Sequence, residues 1–330
     1  MGLLDSATAR SFLICPRCHA DLRQAGDCLQ CSSESCPLSV HSSFPQIGRW
    51  PALIDFDHSI VGREQLDAAS RGCGPTDPAI ERLPRWLRPV WKPPNRTAAE
   101  NVRRVLSLLP GAAPLIVVIG GGTMGNGLEC LYADSRSRLL AFDIYPSQLT
   151  QFIADAHHIP LAPASVDAVI IQAVLEHVLD PEQVVREIHR VLRPNGLVYA
   201  ETPFMQQVHA GPYDFIRFTS SGHRYLFRAF DEISAGPVTG PGTQLLWSLD
   251  HLVRGLFRSK LAGRLVRALF AWLHWVDRFV SPPFAIDGAG ACYFLGRRAE
   301  HELKPFDIVR YYRGAQVSPV STSGRPSSCA

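Results

Sequence analysis

The chain has 330 residues, with 33 basic and 30 acidic side chains, a formal net charge of +3 and 46% hydrophobic residues. These values are typical of a globular protein and argue against disorder as its main state, and so small a charge disfavours a nucleic-acid partner. Residues 1–10 lack the apolar core of a secretory signal, and no run of about 18 apolar residues predicts a transmembrane helix. We therefore expect a cytoplasmic protein.

Five of the nine cysteines lie between positions 15 and 36, which is typical of a metal site rather than a disulfide framework. Residues 22–31 are predicted to form a hairpin with Leu29 pointing inward, which leaves the next cysteines free to form a second pair. We favour a structural zinc ion held by four thiolates. Its predicted ligands are Cys15, Cys18, Cys31 and Cys36. Cys28 is the alternative fourth ligand, and a redox role for the first CxxC pair is a weaker alternative.

The segment after these cysteines resembles the end of a small zinc-ribbon module that is often fused to methyltransferases. The matching residues are Phe44, Pro45, Gly48, Pro51 and Leu53. The resemblance implies a zinc-ribbon module over residues 1–56, in which zinc stabilises a unit too small to fold alone. Since four thiolates leave no open coordination position, we expect no catalytic role for this metal.

Residues 57–98 form a predicted linker and packing segment rich in proline, arginine and tryptophan. Its prolines exclude a continuous helix, and Trp86 and Trp91 are expected to pack on the neighbouring domain rather than to bind a ligand. A helix is then predicted from Thr97 to Leu109, ended by Pro110.

Short apolar runs of strand length alternate with helical stretches over residues 99–300. The predicted strands are residues 115–119, 138–142, 166–172, 196–201, 230–234 and 291–296. This order predicts an α/β fold with a doubly wound, Rossmann-like parallel sheet, whose ligands bind at the carboxyl ends of the strands. A helical insertion is expected at 241–285, and a mostly disordered tail at 301–330.

A glycine turn, Gly120-Gly121-Gly122-Thr-Met-Gly125, follows the first of these strands, and the second strand ends at Asp143. The glycines let the backbone approach a ligand closely, and Asp143 is placed to accept hydrogen bonds from ribose hydroxyls. Two cofactors fit this pattern. One is a dinucleotide such as NAD, with its pyrophosphate on a helix N-terminus, and the other is S-adenosylmethionine, which has no phosphate.

Further motifs are Asp155-Ala156, Asp167, Val174-Leu-Glu-His-Val178 and Leu192-Arg-Pro-Asn-Gly196. With them, residues 100–202 resemble the class I S-adenosylmethionine-dependent methyltransferases of the type-11-like group. The resemblance implies a set of cofactor-binding residues, namely Gly120, Gly121, Gly122, Asp143, Ile144, Asp155, Ala156 and Gln172. Val118 departs from the family pattern, because an acid commonly stands there to contact the amino group of the cofactor.

Polar residues gather after the strand that ends near 201, and Gly211–Thr219 resembles a P-Y-D-x-x-R-F-T segment of methyltransferases encoded with glycan-biosynthesis enzymes. There the segment covers the acceptor side of the pocket. The resemblance implies four candidate catalytic residues, which are His209, Tyr213, Asp214 and Arg217. The alternative is that Asp214 pairs with Arg217 and Thr219 caps a helix, with no part in proton transfer.

The hydrophobic residues Leu265, Leu269, Trp272, Val276 and Phe279 are predicted to share one face of a helix. We expect this helix to cover the acceptor pocket, and a peripheral membrane contact through residues 265–280 or a dimer contact is the alternative. The sequence as a whole predicts an S-adenosylmethionine-dependent methyltransferase acting on a small-molecule or glycan-related acceptor. A noncatalytic zinc-ribbon protein that binds the cofactor, and an NAD-dependent oxidoreductase, are the alternatives.

Overall fold

The computed structural model of the protein describes residues 2–38, 43–64, 66 and 93–316. The N-terminal part contains helix α1 (Ser6–Arg10) and four short strands, β1 (Leu22–Ala25), β2 (Cys28–Cys31), β3 (Gln46–Ile47) and β4 (Trp50–Leu53). Strands β1 and β2 pair antiparallel, and Leu29 is buried between them and the main domain. The hairpin predicted for residues 22–31 is confirmed.

The remaining elements follow in chain order. They are α2 (Arg96–Leu108), β5 (Leu115–Ile119), α3 (Glu129–Ala133), β6 (Arg138–Asp143), β7 (Phe152–Ala154), β8 (Val166–Gln172), α4 (Pro181–Val191), β9 (Leu192–Pro203), α5 (Ser220–Leu226), β10 (Phe230–Thr239), α6 (Pro241–Phe257), α7 (Lys260–Leu269), α8 (Leu273–Val276), α9 (Pro282–Asp287), β11 (Ala291–Arg298) and α10 (Pro305–Tyr311). The strands predicted from apolar runs agree in position with β5, β6, β8, β9, β10 and β11.

One sheet contains nine of these strands, in the order β10-β11-β9-β8-β5-β6-β7-β4-β3. Strands β4 to β9 run parallel to one another, whereas β3 lies antiparallel to β4 and, at the other edge, β11 lies antiparallel to both β9 and β10. The parallel order predicted for the sheet therefore does not extend to β11. The reason is that β11 enters the sheet after the helices α6 to α9, from the end at which β10 leaves it.

Alternate residues of β5 face two different layers. Leu115, Val117 and Ile119 belong to the apolar core on the side of α4, whereas Ile116 and Val118 belong to the core on the side of α2. All five are at most 3% exposed, so this central strand is buried on both faces, as parallel strands covered by helices usually are. The arrangement fixes the carboxyl end of β5, where the glycine turn begins.

The N-terminal part joins the main sheet directly. Strand β4 pairs parallel to β7 through Ala52 opposite Ile153 and Leu53 opposite Ala154. A backbone hydrogen bond from Ile14 to the carbonyl of Pro160, 3.0 Å long, adds a second attachment. Residues 2–56 therefore share hydrogen bonds and core with the domain that follows.

The helical region between β10 and β11 differs from the single amphipathic helix predicted for residues 265–279. Helix α7 ends at Leu269, and α8 begins only at Leu273. The bend brings the carboxylate of Asp277 to the start of α6, where it accepts hydrogen bonds from the backbone N–H groups of Gly242 (2.6 Å) and Thr243 (3.1 Å). A negative charge at a helix N-terminus is stabilising, which accounts for the break.

Two other predictions concern the ends of the domain. Helix α10 lies within the tail 301–330, which was predicted to be mostly disordered, and residues 317–330 lie outside the described part. Trp86 and Trp91 also lie outside it. None of the described helices combines the length and the apolar composition of a membrane span.

Candidate functional site

The carboxyl ends of β5 to β9 open into a cavity of about 1790 Å³. This exceeds the ~300–1,000 Å³ common for ligand pockets, so it has room for two ligands. One half is lined by strand ends and the glycine turn. The other half is lined by the loop after β9 and by residues of α7, α8 and the turn that follows them.

The glycine turn is closely surrounded. Gly120 has a φ of +75°, and a Cβ there would lie 2.3 Å from Cγ2 of Val174. A Cβ on Gly125 would lie 1.9 Å from Oε1 of Gln172. Position 120 therefore requires glycine, both for its backbone conformation and for space, whereas a side chain at Gly125 would displace the amide of Gln172.

A long helix does not follow the glycine turn. Residues 123–128 are irregular, with a turn at 126–127, and α3 begins only at Glu129 and ends at Ala133. The first turn of this helix carries the carboxylate of Glu129, which is unfavourable for a neighbouring phosphate. The turn thus lacks the helix N-terminus on which the pyrophosphate of a dinucleotide rests.

Asp143 lies at the end of β6 and borders the cavity. Its Oδ2 accepts a hydrogen bond of 2.8 Å from the backbone N–H of Gly122, and its Oδ1 accepts one of 2.7 Å from Ile144. Burial raises the pKa of Asp143 to about 6, although the two backbone donors act in the opposite direction. Ile144 also lines the cavity and is 36% exposed.

Asp155 and Ala156 line the same half of the cavity, beyond the end of β7. Burial would raise the pKa of Asp155, but hydrogen bonds from His157 and Ser59 lower it below its ordinary value. The Nδ1 of His157 lies 2.6 Å and the hydroxyl of Ser59 2.5 Å from this carboxylate. Ser59 lies in the segment that follows β4, and no sequence motif points to it.

Asp167, in contrast, lies at the other end of the sheet. Its carboxylate accepts a hydrogen bond of 2.7 Å from the backbone of Leu115 and one of 2.5 Å from Arg193. It therefore holds the starts of β5 and β8 and does not line the cavity.

A buried carboxylate, Glu201, lies near the glycine turn at the end of β9. Gln172 donates a hydrogen bond of 2.6 Å to it and Asn95 one of 2.9 Å, and the hydroxyl of Tyr199 donates another. Burial raises the pKa of Glu201 above its ordinary value. The sequence analysis did not select Glu201 or Asn95, although an acid at the carboxyl end of a central strand was a usable signal.

Of the four candidate catalytic residues, His209 and Tyr213 line the cavity and Asp214 and Arg217 do not. Arg217 donates two hydrogen bonds to Asp214, one of 2.7 Å from Nη2, and these bonds hold the pKa of Asp214 well below its usual range. Thr219 caps α5 through a hydrogen bond of 3.1 Å from Gly222. Both contacts expected for a purely structural loop are therefore present.

Glu176 and His177 lie in the 3₁₀ turn Leu175–His177 after β8 and line the same half of the cavity as His209 and Tyr213. Glu176 is fully buried, and burial raises its pKa to about 7. Burial lowers the pKa of His177, whose Nδ1 donates a hydrogen bond of 2.7 Å to the carbonyl of Tyr213.

A separate cluster of thiols lies in the N-terminal part. The sulfur atoms of Cys15, Cys18, Cys31 and Cys36 all lie within 4.8 Å of one another. The separation is 3.4 Å between Cys18 and Cys31 and 3.8 Å between Cys15 and Cys36. Cys28, the alternative ligand, is not part of this group.

Solved structures with a similar fold include methyltransferases. A protein assigned as a sarcosine dimethylglycine methyltransferase from Galdieria sulphuraria is 14% identical with a TM-score of 0.42, over 69% of this chain and 93% of that one. Geranyl diphosphate C-methyltransferase from Streptomyces coelicolor A3(2) is 15% identical with a TM-score of 0.41, over 69% and 90%. Phosphoethanolamine N-methyltransferase 2 from Haemonchus contortus, crystallised with S-adenosylmethionine, is 14% identical with a TM-score of 0.41, over 62% and 53%.

Sequence comparisons give a more direct result. No curated protein sequence matches the chain at a significant level. The family model of the methyltransferase domain matches residues 119–200. This range runs from the end of β5 into β9 and includes the glycine turn, Asp143 and Gln172. Over these residues the chain is similar to a methyltransferase domain.

Proposed function

We propose that the protein is an S-adenosylmethionine-dependent methyltransferase that acts on a small-molecule or glycan-related acceptor. The observation that carries this proposal is the position of Asp143, a buried carboxylate that borders the cavity beside a glycine turn without a helix N-terminus. A ribose needs such an acceptor, and a cofactor without phosphate does not need the helix.

The residues of this half of the cavity fit the parts of the cofactor. Asp143 would accept hydrogen bonds from the ribose hydroxyls, and Asp155 with Ala156 would border adenine. The glycine turn and Gln172 would border the methionine part, and Glu201 would supply the negative charge that Val118 does not. When bound, S-adenosylmethionine supplies an activated methyl group.

The NAD alternative has less support. Its pyrophosphate would lie against residues 123–128, an irregular segment that is followed by the carboxylate of Glu129. A pyrophosphate binds where free backbone N–H groups and a helix dipole converge. The spacing of the glycines alone therefore does not favour a dinucleotide.

On the acceptor side, His209 and Tyr213 border the space into which an acceptor would enter, while Asp214 and Arg217 position the loop that carries them. Much of the rate of a methyl transfer comes from alignment of the reacting atoms, and a hydroxyl acceptor also needs a group that removes its proton. His209 is the candidate for that role. The glycan-related class of acceptor rests on the resemblance of Gly211–Thr219 alone.

The thiol cluster fits a structural zinc ion, since four sulfur atoms in a closed group give the tetrahedral set that zinc prefers. The expected metal content is about one zinc per chain for the wild type and for Cys28→Ser. Cys31→Ser should lose the metal. Equal zinc content in the two variants would show that the ligand set is different.

Isothermal titration calorimetry with S-adenosylmethionine and with NAD tests the cofactor. We expect the wild type to bind S-adenosylmethionine, Asp143→Ala to lose binding, and the exposed control Asp231→Ala to bind like the wild type. A wild type that binds NAD instead, or neither compound, would contradict the proposal. Transfer of a labelled methyl group to metabolites of a cell extract would then separate an enzyme from a noncatalytic binding protein.

A further inference from the structure

The half of the cavity that is lined by the loop after β9 and by α7 and α8 is called the acceptor half, and the other is called the cofactor half. Three potential metal ligands converge in the acceptor half. Glu176 and His177 lie in the turn after β8, and His209 lies in the loop after β9. One ligand atom from each lies within 4.8 Å of the other two. All three residues line the cavity.

Glu176 is the unusual member of this group. It is 0% exposed, and neither of its carboxylate oxygens has a hydrogen-bond partner in the described part of the chain. The two imidazole Nε2 atoms face its Oε1 at 3.7 Å for His177 and 3.8 Å for His209, which is beyond hydrogen-bond length. A buried carboxylate without partners is costly, so its retention here requires a ligand or a proton.

The Nδ1 atom of each histidine lies near an oxygen acceptor, which orients the ring. The Nδ1 of His177 donates to the carbonyl of Tyr213 at 2.7 Å, so in the neutral ring its Nε2 carries a lone pair. The Nδ1 of His209 lies 3.5 Å from Asp214, which Arg217 holds in place. Metal-binding histidines commonly show this arrangement, in which Nδ1 faces an oxygen acceptor and Nε2 faces the metal.

The spacing suits a shared ion. Two atoms that are each ~2.1 Å from one metal lie roughly 3.0–3.5 Å apart, so separations of 3.7 and 3.8 Å require only small side-chain adjustments. Two imidazoles and one carboxylate are ligands that suit Mn²⁺, Fe²⁺ or Zn²⁺. Three protein ligands also leave positions open on the side of the cavity.

We propose that Glu176, His177 and His209 bind a divalent transition-metal ion whose open coordination positions receive an oxygen atom of the acceptor. The metal site is independent of the identity of the cofactor, and only its role toward an acceptor rests on the proposed methyltransferase function. As a ligand, His209 would not be the group that removes the acceptor proton; the metal would instead hold the acceptor oxygen near Tyr213 and lower the pKa of the acceptor hydroxyl. It is distinct from the closed thiol cluster, which has no open position.

Mn²⁺ is a suitable probe, used with the full chain after its thiol cluster has been loaded with zinc. We expect titration, followed by the EPR signal of free Mn²⁺, to show about one site per chain, from which added Zn²⁺ displaces the ion. Glu176→Gln and His209→Ala should each weaken binding by at least about tenfold. The control His251→Ala, on the exposed surface of α6, should bind like the wild type.

His209 is 37% exposed in its side chain, so its variant should fold even if the buried Glu176 variant does not. The proposal is overturned if neither Mn²⁺ nor a second Zn²⁺ binds the wild type, or if His209→Ala binds as tightly as the wild type does. The calorimetry described above is independent of this result. Metal binding without cofactor binding would contradict the proposed function alone, and the reverse result would contradict only the metal site.

Discussion

The two halves of the cavity are built from different kinds of structure. The cofactor half is formed by strand ends and a glycine turn, where the backbone of Gly122 holds Asp143. The acceptor half is formed by loops and by the helices between β10 and β11, where the side chain of Arg217 holds Asp214. We infer that the first half tolerates little change, whereas the second can change its residues with less effect on the fold.

The largest expected difference between the halves comes from two glycines with positive φ. Gly120→Ala should abolish cofactor binding and lower the free energy of unfolding by several kcal/mol, because strain and a clash with Val174 add together. Gly211, in the acceptor half, has a φ of +57°, but a Cβ added there would have no atom within 4 Å. The comparison is therefore Gly211→Ala. It should lose only about 1 kcal/mol. Urea denaturation and calorimetry measure both effects, and equal losses would remove the contrast.

Binding in the cofactor half should depend on pH through Asp143. Its pKa is raised to about 6, so the carboxylate that accepts the ribose hydroxyls is present above this pH and is lost as the pH falls. Affinity for S-adenosylmethionine should drop roughly tenfold from about pH 7.5 to about pH 5. Calorimetry at both pH values checks this, and Asp143→Asn should show a much flatter dependence. An equally steep dependence in that variant would assign the effect to another group.

A substitution of Glu201 tests whether this residue replaces the acid that commonly stands at position 118 and contacts the amino group of the cofactor. Glu201→Gln keeps the size of the side chain and removes its charge, and we expect about fivefold to tenfold weaker cofactor binding from the loss of a charged hydrogen bond. The exposed variant Glu182→Gln is the control. If Glu201→Gln binds with wild-type affinity, Val118 is not compensated by this residue.

Loss of the Asp214–Arg217 pair in the acceptor half should lower stability without affecting cofactor binding. Asp214→Asn breaks the pair with Arg217 and should lower the free energy of unfolding by about 1–3 kcal/mol at neutral pH. The pKa of Asp214 is depressed in the folded state, so the pair stabilises the protein above the ordinary carboxylate pKa and ceases to do so as acid protonates it. The variant's deficit should therefore shrink in acid, and its affinity for S-adenosylmethionine should stay within about twofold of wild type.

The smallest effect is expected on the outer face of the helical insertion. Phe279 is 87% exposed, so Phe279→Ser should change the free energy of unfolding by less than about 0.5 kcal/mol. Peripheral membrane contact through residues 265–280 remains a prediction for this face. Sedimentation with anionic vesicles checks it, because a membrane-binding role would make the variant sediment less than the wild type.

The sequence predicted the cofactor half better than the acceptor half for a physical reason. Buried strands and obligatory glycines leave local patterns, so β5, β8 and the turn at Gly120 were found correctly. The thiol group also follows local spacing, and the structure brings together the four cysteines that were favoured.

Long-range contacts leave no such pattern. Ser59 reaches Asp155 across 96 positions, and Asp277 reaches Gly242 across 35. The first contact brings the segment after β4 to the cavity, and the second breaks the predicted helix at residues 270–272. Glu176 faces His209 only because β9 and its loop return to the turn after β8. Each of these contacts depends on the tertiary fold, which a short sequence motif does not predict.

The pairing of β4 with β7 has a consequence for solubility. Removal of residues 2–56 would leave β7 as the outer strand of the sheet, with its backbone N–H and C=O groups unpaired on one side. Phe152, Ile153 and Ala154 are all at most 1% exposed and would gain contact with water. Unprotected edges of this kind associate with other chains, so the N-terminal part also guards the protein against aggregation.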